Sequence, residues 1–139
     1  MMILGVDPGV STGIAIYRGG ELILLETIHP AYIGGFINES SGVVFEDSRL
    51  QSRVWSAAAS KAASCKIARN VGEIDAWCRL ITELCERKGI PALGISPKAK
   101  GAKMDADAFA KLTGWDRRSN QHERDAAAVS WRYRNGWQK

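Results

Sequence analysis

Apolar positions near the start of the chain fall into three runs joined by short links that contain glycine. The runs are MILGVDPG, STGIAIYR and ELILLETI, and the last two meet at Arg18-Gly19-Gly20-Glu21, which is typical of a tight hairpin turn. The first run is apolar on both of its alternating faces, as expected for a strand that is covered on both sides. The pattern predicts an antiparallel meander of three strands with the first strand central in the sheet.

Helical and extended patterns alternate in the next part of the chain. Pro30 permits a short helix through about Asn38, VVFED is a short fourth strand, and ALGIS is a fifth. Between these last two strands, apolar residues recur at three- and four-residue steps from about Ser60 to Lys88, which predicts a long amphipathic helix. Gly89 is expected to end that helix in the left-handed conformation.

Two shorter helices complete the pattern. DADAFAKLTGW has an aspartate at its start and a glycine stop, and the last helix spans about His122 to Tyr133. No internal repeat, low-complexity tract or shift in composition marks a second domain. The chain is therefore predicted to form a single α/β domain over residues 1–139. Its mixed five-stranded sheet would have an antiparallel β1–β3 meander followed by parallel strands, flanked by helices.

Composition is that of an ordinary globular protein, with 45% hydrophobic and 24% charged residues. No stretch approaches the roughly 18 apolar residues of a membrane span. The first residues, MMILGVDPG, carry an acid where a signal peptide would need an apolar core, and no basic segment precedes it. We therefore expect an intracellular, cytoplasmic protein.

The cysteines give no sign of a disulfide framework or a zinc site. Cys65, Cys78 and Cys85 are odd in number and form no CxxC pair. All three fall in the predicted long helix, where we expect them to be small buried apolar residues.

The charge balance points to a polyanionic partner. The net charge is +4 and the isoelectric point is about 9.1. Five tryptophans add aromatic surface that could stack on bases, although most tryptophans in proteins belong to the core. A solvated basic surface explains the same charge, so this signal leaves both possibilities open. The basic residues cluster as Lys98, Lys100 and Lys103, then Arg117 and Arg118, then Arg132, Arg134 and Lys139.

Acidic residues occur where the predicted elements should bring them together. Asp7 lies inside the first strand, Glu46 and Asp47 end the fourth, and Asp125 lies near the start of the last helix. Because side chains alternate across a strand, only one of Glu46 and Asp47 can share a face with Asp7. His122 lies three residues before Asp125 and so on the same helical stripe. Small alanines on that stripe would let the helix pack close to the sheet.

Converging carboxylates repel one another unless they share a proton or a cation bridges them. Carboxylate oxygens are hard ligands that suit Mg²⁺ or Mn²⁺. Two such ions about 4 Å apart can activate a water and stabilise the leaving oxygen of a phosphodiester. Gly9 and Gly13 would leave room beside Asp7 for metal and phosphate. These residues together predict a metal-dependent nuclease with a basic surface for the nucleic acid backbone.

Three stretches, GVDPGVSTG, the strand ending FED, and HERDAAA at the last helix, resemble the RuvC family of Holliday junction resolvases. The resemblance covers nearly the whole chain and is to the compact members encoded by bacteriophages, which would act in the host cytoplasm. It implies an RNase H-like fold, a homodimer, and nicking of four-way DNA junctions in recombination or repair. It also implies two Mg²⁺ per active site, with Mn²⁺ as a substitute. GVDPGVSTG alone would not separate this family from sugar kinases and Hsp70-like ATPases.

The resemblance also assigns roles to the acidic residues. It implies that Asp7 is the first metal ligand, on the central strand, and that Asp125 is the carboxylate of the last helix. Glu46, and not Asp47, takes the position of the family's β4 glutamate. His122 lies where family members have an acid or a histidine that binds metal or shuttles a proton.

Candidate phosphate contacts follow from the same resemblance, although each could instead be an ordinary surface residue. Lys103 is our choice for the lysine near the scissile phosphate. The stretch DSRLQSRVW has no aromatic residue before Trp55, where better-known members stack an aromatic on a base, so we expect structure-selective cutting. The candidates are Lys61, Lys66 and Arg69 in the long helix, Arg49 and Arg53 after the fourth strand, and Lys98, Lys100 and Lys103 after the fifth.

Three other functions remain compatible with the sequence. A nuclease that processes ribosomal RNA precursors would share the fold and the first aspartate. A non-catalytic protein that binds branched DNA would share the basic surface, although it would have no reason to keep acids facing phosphates. A small ATPase of the actin and Hsp70 type would need a second lobe for which the chain lacks the length.

Overall fold

The central feature of the computed structural model, which describes residues 1–51, 60–99 and 101–137, is one mixed sheet. Its strand order is β3-β2-β1-β4-β5. The first three strands are antiparallel neighbours, whereas β1 pairs with β4, and β4 with β5, in parallel. The predicted meander, the central first strand and the mixed sheet are confirmed. The strands are β1 (Met2–Asp7), β2 (Thr12–Arg18), β3 (Glu21–Ile28), β4 (Gly42–Glu46) and β5 (Ala92–Ile95).

The helices match the periodicity closely, and several of their ends carry recognisable caps. Ser60 accepts a hydrogen bond from the backbone N–H of Ala63, and Gly89, with φ 66°, ends α2 in the predicted left-handed conformation. Asn120 and Glu123 form a reciprocal capping box at the start of α4. The helices are α1 (Ile33–Glu39), α2 (Lys61–Lys88), α3 (Ala106–Thr113) and α4 (Gln121–Trp131), with short 3₁₀ turns at Pro30–Tyr32, Ser48–Leu50 and Pro97–Ala99.

Two hydrophobic clusters cover the two faces of the sheet. On one face, Leu4 and Val6 of β1 pack with Cys78 and Ile81 of α2. On the other face, Ile3 packs with side chains of β2 and β4, of α3 and of α4. This alternation along β1 is why its sequence reads as almost continuously apolar. None of the helices in the described residues combines the length and apolar character that a membrane crossing needs.

Two of the three cysteines are buried and the third is exposed. Cys78 and Cys85 lie in the core, as predicted, and burial raises the pKa of the Cys85 thiol to about 11. Cys65 is exposed, so its predicted burial is wrong. The reason is that α2 joins the core only from Ile74 onwards, and its first turns lie outside it.

Helix α4 packs close to the sheet because strands β1 and β2 have glycines where the helix crosses them. A Cβ on Gly5 would overlap the Ser130 hydroxyl and the Ala126 carbonyl, and a Cβ on Gly13 would overlap the His122 carbonyl. The close approach predicted for a helix with small residues is therefore present. The predicted role of Gly13 is wrong, however, since the room beside it is filled by the α4 backbone and not by metal or phosphate.

Candidate active site

Strands β1 and β4 are parallel neighbours, and their carboxyl ends bring Asp7 and Glu46 to one edge of the sheet. Val6 pairs with Phe45 across β1 and β4, so Asp7 and Glu46 follow at corresponding positions. A cleft of about 520 Å³ opens there. The described residues that line it include Asp7, Glu46, Lys103, His122 and Asp125. The structure thus brings all four predicted metal or catalytic residues, and the chosen lysine, to one cleft.

Asp7 lies at the end of the central strand with its side chain 17% exposed. Its Oδ2 lies 3.3 Å from Nδ1 of His122, which is on the first turn of α4 and 53% exposed. A carboxylate can only accept, so the geometry favours the histidine with its proton on Nδ1. The histidine is therefore oriented by the acid and remains open to the cleft.

Asp125 is nearly buried, with its side chain 8% exposed. Nε2 of Gln121 donates a hydrogen bond to its Oδ1 at 2.8 Å, and Nζ of Lys103 lies 3.5 Å from its Oδ2. The Lys103 side chain is 67% exposed, so solvent screens this attraction and leaves the ammonium able to meet a phosphate. Gln121 is thus the stronger of these two constraints on the carboxylate.

Glu46 and Asp47 point in different directions, as the strand alternation requires. Glu46 lines the cleft, whereas Asp47 is buried and accepts hydrogen bonds from Nε and Nη2 of Arg49 at 2.9 and 2.8 Å. Burial by itself would raise the pKa of Asp47, but the hydrogen bonds and charge of Arg49 hold it below its usual range. Asp47 therefore belongs to a structural ion pair.

The guanidinium of Arg49 is engaged by other residues of the protein. Its guanidinium is held by Asp47 and also donates to Thr82 Oγ1 of α2 at 2.9 Å. An arginine held by two protein partners is less available to neutralise a phosphate, and its contact with DNA stays a prediction. Arg53, Trp55 and Lys100 lie outside the described residues.

The other predicted phosphate contacts among the described residues are exposed. Lys61, Lys66 and Arg69 are exposed on the first three turns of α2, and one turn further Glu73 lines the cleft. The basic stretch of α2 therefore leads towards the acids. Lys98 is exposed on the turn after β5.

Several cleft residues were not found by reasoning from the sequence. Asn70 and Glu73 of α2 and Gln121 of α4 line the cleft together with the predicted acids. Gln121 lies four residues before Asp125, and this helical spacing was a usable signal. Asn70 and Glu73 gave no such signal in the sequence, because the position of α2 over the cleft depends on tertiary packing. Gly9 also lines the cleft, as predicted, and among the described residues only the Ser11 carbonyl would touch a Cβ there.

The donor set of the cleft suits a hard divalent cation, since it includes several carboxylates and one imidazole. Within residues 1–51, 60–99 and 101–137, however, no three acidic, histidine or cysteine side chains lie close enough together to hold one ion. The acids thus converge on one cleft without forming a closed metal site. Their chemistry fits Mg²⁺ or Mn²⁺.

Comparisons with known proteins agree with the fold. No protein-family model matches the sequence, and no curated protein sequence does so either. Among solved structures, RuvC of T. thermophilus in complex with a Holliday junction substrate matches with a TM-score of 0.60 and 16% identity, over 96% of this chain and 92% of that one. The yeast mitochondrial Holliday junction resolvase Ydc2 matches with a TM-score of 0.49 and 11% identity, over 96% and 77%.

The similarity to RuvC of T. thermophilus, together with the strand order, identifies the fold. The chain has an RNase H-like fold, with the mixed sheet and flanking helices predicted from its sequence. More narrowly, it has the fold of the RuvC-like resolvases, as its three motifs indicated.

Proposed function

We propose that this protein is a metal-dependent endonuclease that nicks and resolves four-way junctions and other branched DNA. The observation that carries the proposal is the convergence of Asp7, Glu46 and Asp125 on one cleft of a RuvC-like fold. His122 and Lys103 on the same cleft supply a group that can carry a proton and a cation for phosphate. A role in recombination or repair in the cytoplasm belongs to the same proposal.

The three carboxylates would hold two Mg²⁺ ions, with Mn²⁺ as a substitute. When bound, such ions supply an activated water and stabilise the charge on the leaving oxygen. The chain itself contributes rigidity, because Asp7 ends a central strand that is hydrogen-bonded on both sides. The Gln121 amide holds one oxygen of Asp125 and so limits its rotation.

His122 would move a proton during the reaction. With Nδ1–H donating to Asp7, the second ring nitrogen, Nε2, is the basic one and can accept or return a proton. Lys103 would bind a phosphate oxygen next to Asp125, since its ammonium is solvent-exposed and only weakly paired. Lys61, Lys66 and Arg69 would hold the DNA backbone beyond the cleft.

A homodimer would place two such clefts on the two cut strands of a junction. Helix α2 can supply apolar surface for it, because Ile67 is 41% exposed and Val71, one turn further, is partly exposed. Sedimentation equilibrium would test this part of the proposal. A monomer at every concentration used for cleavage would contradict it.

A second candidate is a non-catalytic protein that binds branched DNA. It is favoured by one observation, namely that no three ligands in the described residues are close enough to hold an ion. Tight binding to a junction without metal, and no product at any metal concentration, would support this candidate.

The experiment that separates these functions is a nicking assay on a synthetic four-way junction, with linear duplex DNA and structured RNA in parallel. We expect nicks in the junction with Mg²⁺ or Mn²⁺, none with a chelator, and none from the Asp7→Asn variant. Asp116→Asn is the matched control, because Asp116 is exposed and is not among the described residues of the cleft. Preferential cutting of RNA would favour the ribosomal RNA nuclease, and an active Asp7→Asn variant would exclude the proposed site.

A further inference from the structure

The guanidinium of Arg124 joins three separate parts of the chain. Nε donates to the Met104 carbonyl at 3.0 Å, and Nη1 donates to the carbonyl and hydroxyl of Ser119 at 2.9 and 3.1 Å. Nη2 donates to Oε1 of Gln121 at 3.3 Å. A single planar fork therefore ties the segment before α3, the loop before α4 and the first turn of α4 to one another.

Two of these contacts connect Arg124 with Asp125 through other residues. Gln121 donates to Asp125 from Nε2, and Lys103, the residue before Met104, places its Nζ 3.5 Å from the same carboxylate. Because arginine has no acceptor, it fixes the Gln121 amide with Oε1 towards itself and Nε2 towards Asp125. The orientation of that amide and the position of the Lys103 backbone therefore depend on the same guanidinium.

Arg124 does not act from inside the cleft. Among the described residues, it is absent from the lining of the 520 Å³ cleft and instead lines a neighbouring cavity of about 240 Å³ together with Met104 and Trp131. Asp125 borders both spaces. Arg124 thus contacts Gln121, which bonds to Asp125, and each of its three guanidinium nitrogens donates to another part of the protein.

We propose that Arg124 is a positioning residue for the reaction, which holds Gln121 and the Lys103 segment against Asp125. This inference rests on the proposed nuclease function. Arg124 would affect the rate of cleavage and would not affect the binding of DNA.

Single-turnover cleavage of a four-way junction by Arg124→Gln and Arg124→Lys tests the kinetic part. We expect both variants to cut about tenfold more slowly or worse, as is usual when a group that orients a reactive carboxylate is lost. Junction affinity and its salt dependence should stay as in the parent, because no phosphate contact is removed. Arg87→Gln is the control, since Arg87 is exposed on the last turn of α2.

A double-mutant cycle with Lys103→Ala distinguishes positioning from general destabilisation. If Arg124 acts partly through Lys103, the combined variant should lose less than the product of the two single losses. Purely multiplicative losses, a loss of junction affinity that accounts for the slower cutting, or a fully active Arg124→Lys variant would each overturn the proposal.

The Met104 methyl group gives a readout that needs no nuclease activity. Met104 is partly buried against the core, and Met2, which packs against the opposite face, serves as an internal control in ¹³C-methyl NMR. In Arg124→Gln we expect the Met104 signal to shift and become more mobile while that of Met2 stays unchanged. An unchanged Met104 signal would overturn the inference. A parent protein that never cuts DNA would instead overturn the proposed function, and with it the kinetic role of Arg124.

Discussion

Nδ1 of His122 lies 3.3 Å from Oδ2 of Asp7, so the first turn of α4 reaches the carboxyl end of the central strand. This contact joins residues that are 115 positions apart in the sequence. Its geometric basis is the Gly13 position, where the His122 carbonyl occupies the space that a side chain would need. Strand β2 therefore positions the histidine as directly as α4 does.

Substitution of His122 should separate a functional role from a structural one. We expect His122→Asn to slow junction cleavage about 10²-fold, because asparagine cannot exchange a proton as histidine does. His122→Asp should lose less, since an acid can hold metal or a proton at that position. Single-turnover rates measure both effects, and equal losses in the two variants would contradict a role in metal binding or proton transfer.

Gly13→Ala should destabilise the protein, because its methyl group would overlap the α4 backbone. We expect a loss of about 2 kcal/mol in the free energy of unfolding, measured in urea. Gly72→Ala is the matched control, as no described residue lies near a Cβ at that position in α2. It should raise stability by up to about 1 kcal/mol, and similar effects of the two substitutions would argue against the close helix approach.

Asp47→Asn should lower stability in a way that depends on pH. The pKa of Asp47 is lowered in the folded state, so its ion pair stabilises the fold above the unfolded pKa of about 4, and this stabilisation is lost as the pH falls through the folded value. We expect a loss of about 2 kcal/mol at pH 7, from hydrogen bonds to a charged partner. Urea unfolding at pH 7 and pH 3 should show the difference from the parent shrinking in acid, whereas a constant difference would contradict the ion pair.

The salt dependence of junction binding should report the basic stretch of α2. Without metal, Lys66→Ala and Arg69→Ala should each reduce the slope of log affinity against log salt by about 1 if each residue meets one phosphate. Arg49→Gln and Lys111→Ala should leave the slope unchanged, since Arg49 is held by Asp47 and Lys111 lies on α3. Fluorescence anisotropy measures these slopes, and a reduced slope for Arg49→Gln would instead support its predicted contact with DNA.

The sheet and the convergence of the acids were predictable because both depend on local pattern. Alternation along β1 and β4 decides which side chains share a face, and the parallel pairing that follows puts Asp7 and Glu46 at one edge. Helical spacing does the same for His122 and Asp125. These placements need no knowledge of tertiary contacts beyond the order of the strands.

The errors concern partners that only tertiary packing determines. Cys65 was predicted to be buried, but the first turns of α2 lie outside the core. Gly13 was predicted to leave room for metal or phosphate, but the backbone of helix α4 occupies that room. Arg124 was passed over because its partner Met104 lies 20 positions away and accepts through a backbone carbonyl, which carries no signal in the sequence.

The central claim is that Asp7, Glu46 and Asp125 together hold the metal used for cleavage. Crystals of the protein soaked in Mn²⁺, with data collected for the anomalous signal of manganese, test it most directly. We expect a peak in the cleft with oxygens of all three carboxylates at about 2.1 Å, the distance typical of Mg²⁺ sites. A cleft without a peak at saturating Mn²⁺, or an ion bound away from these acids, would contradict the claim.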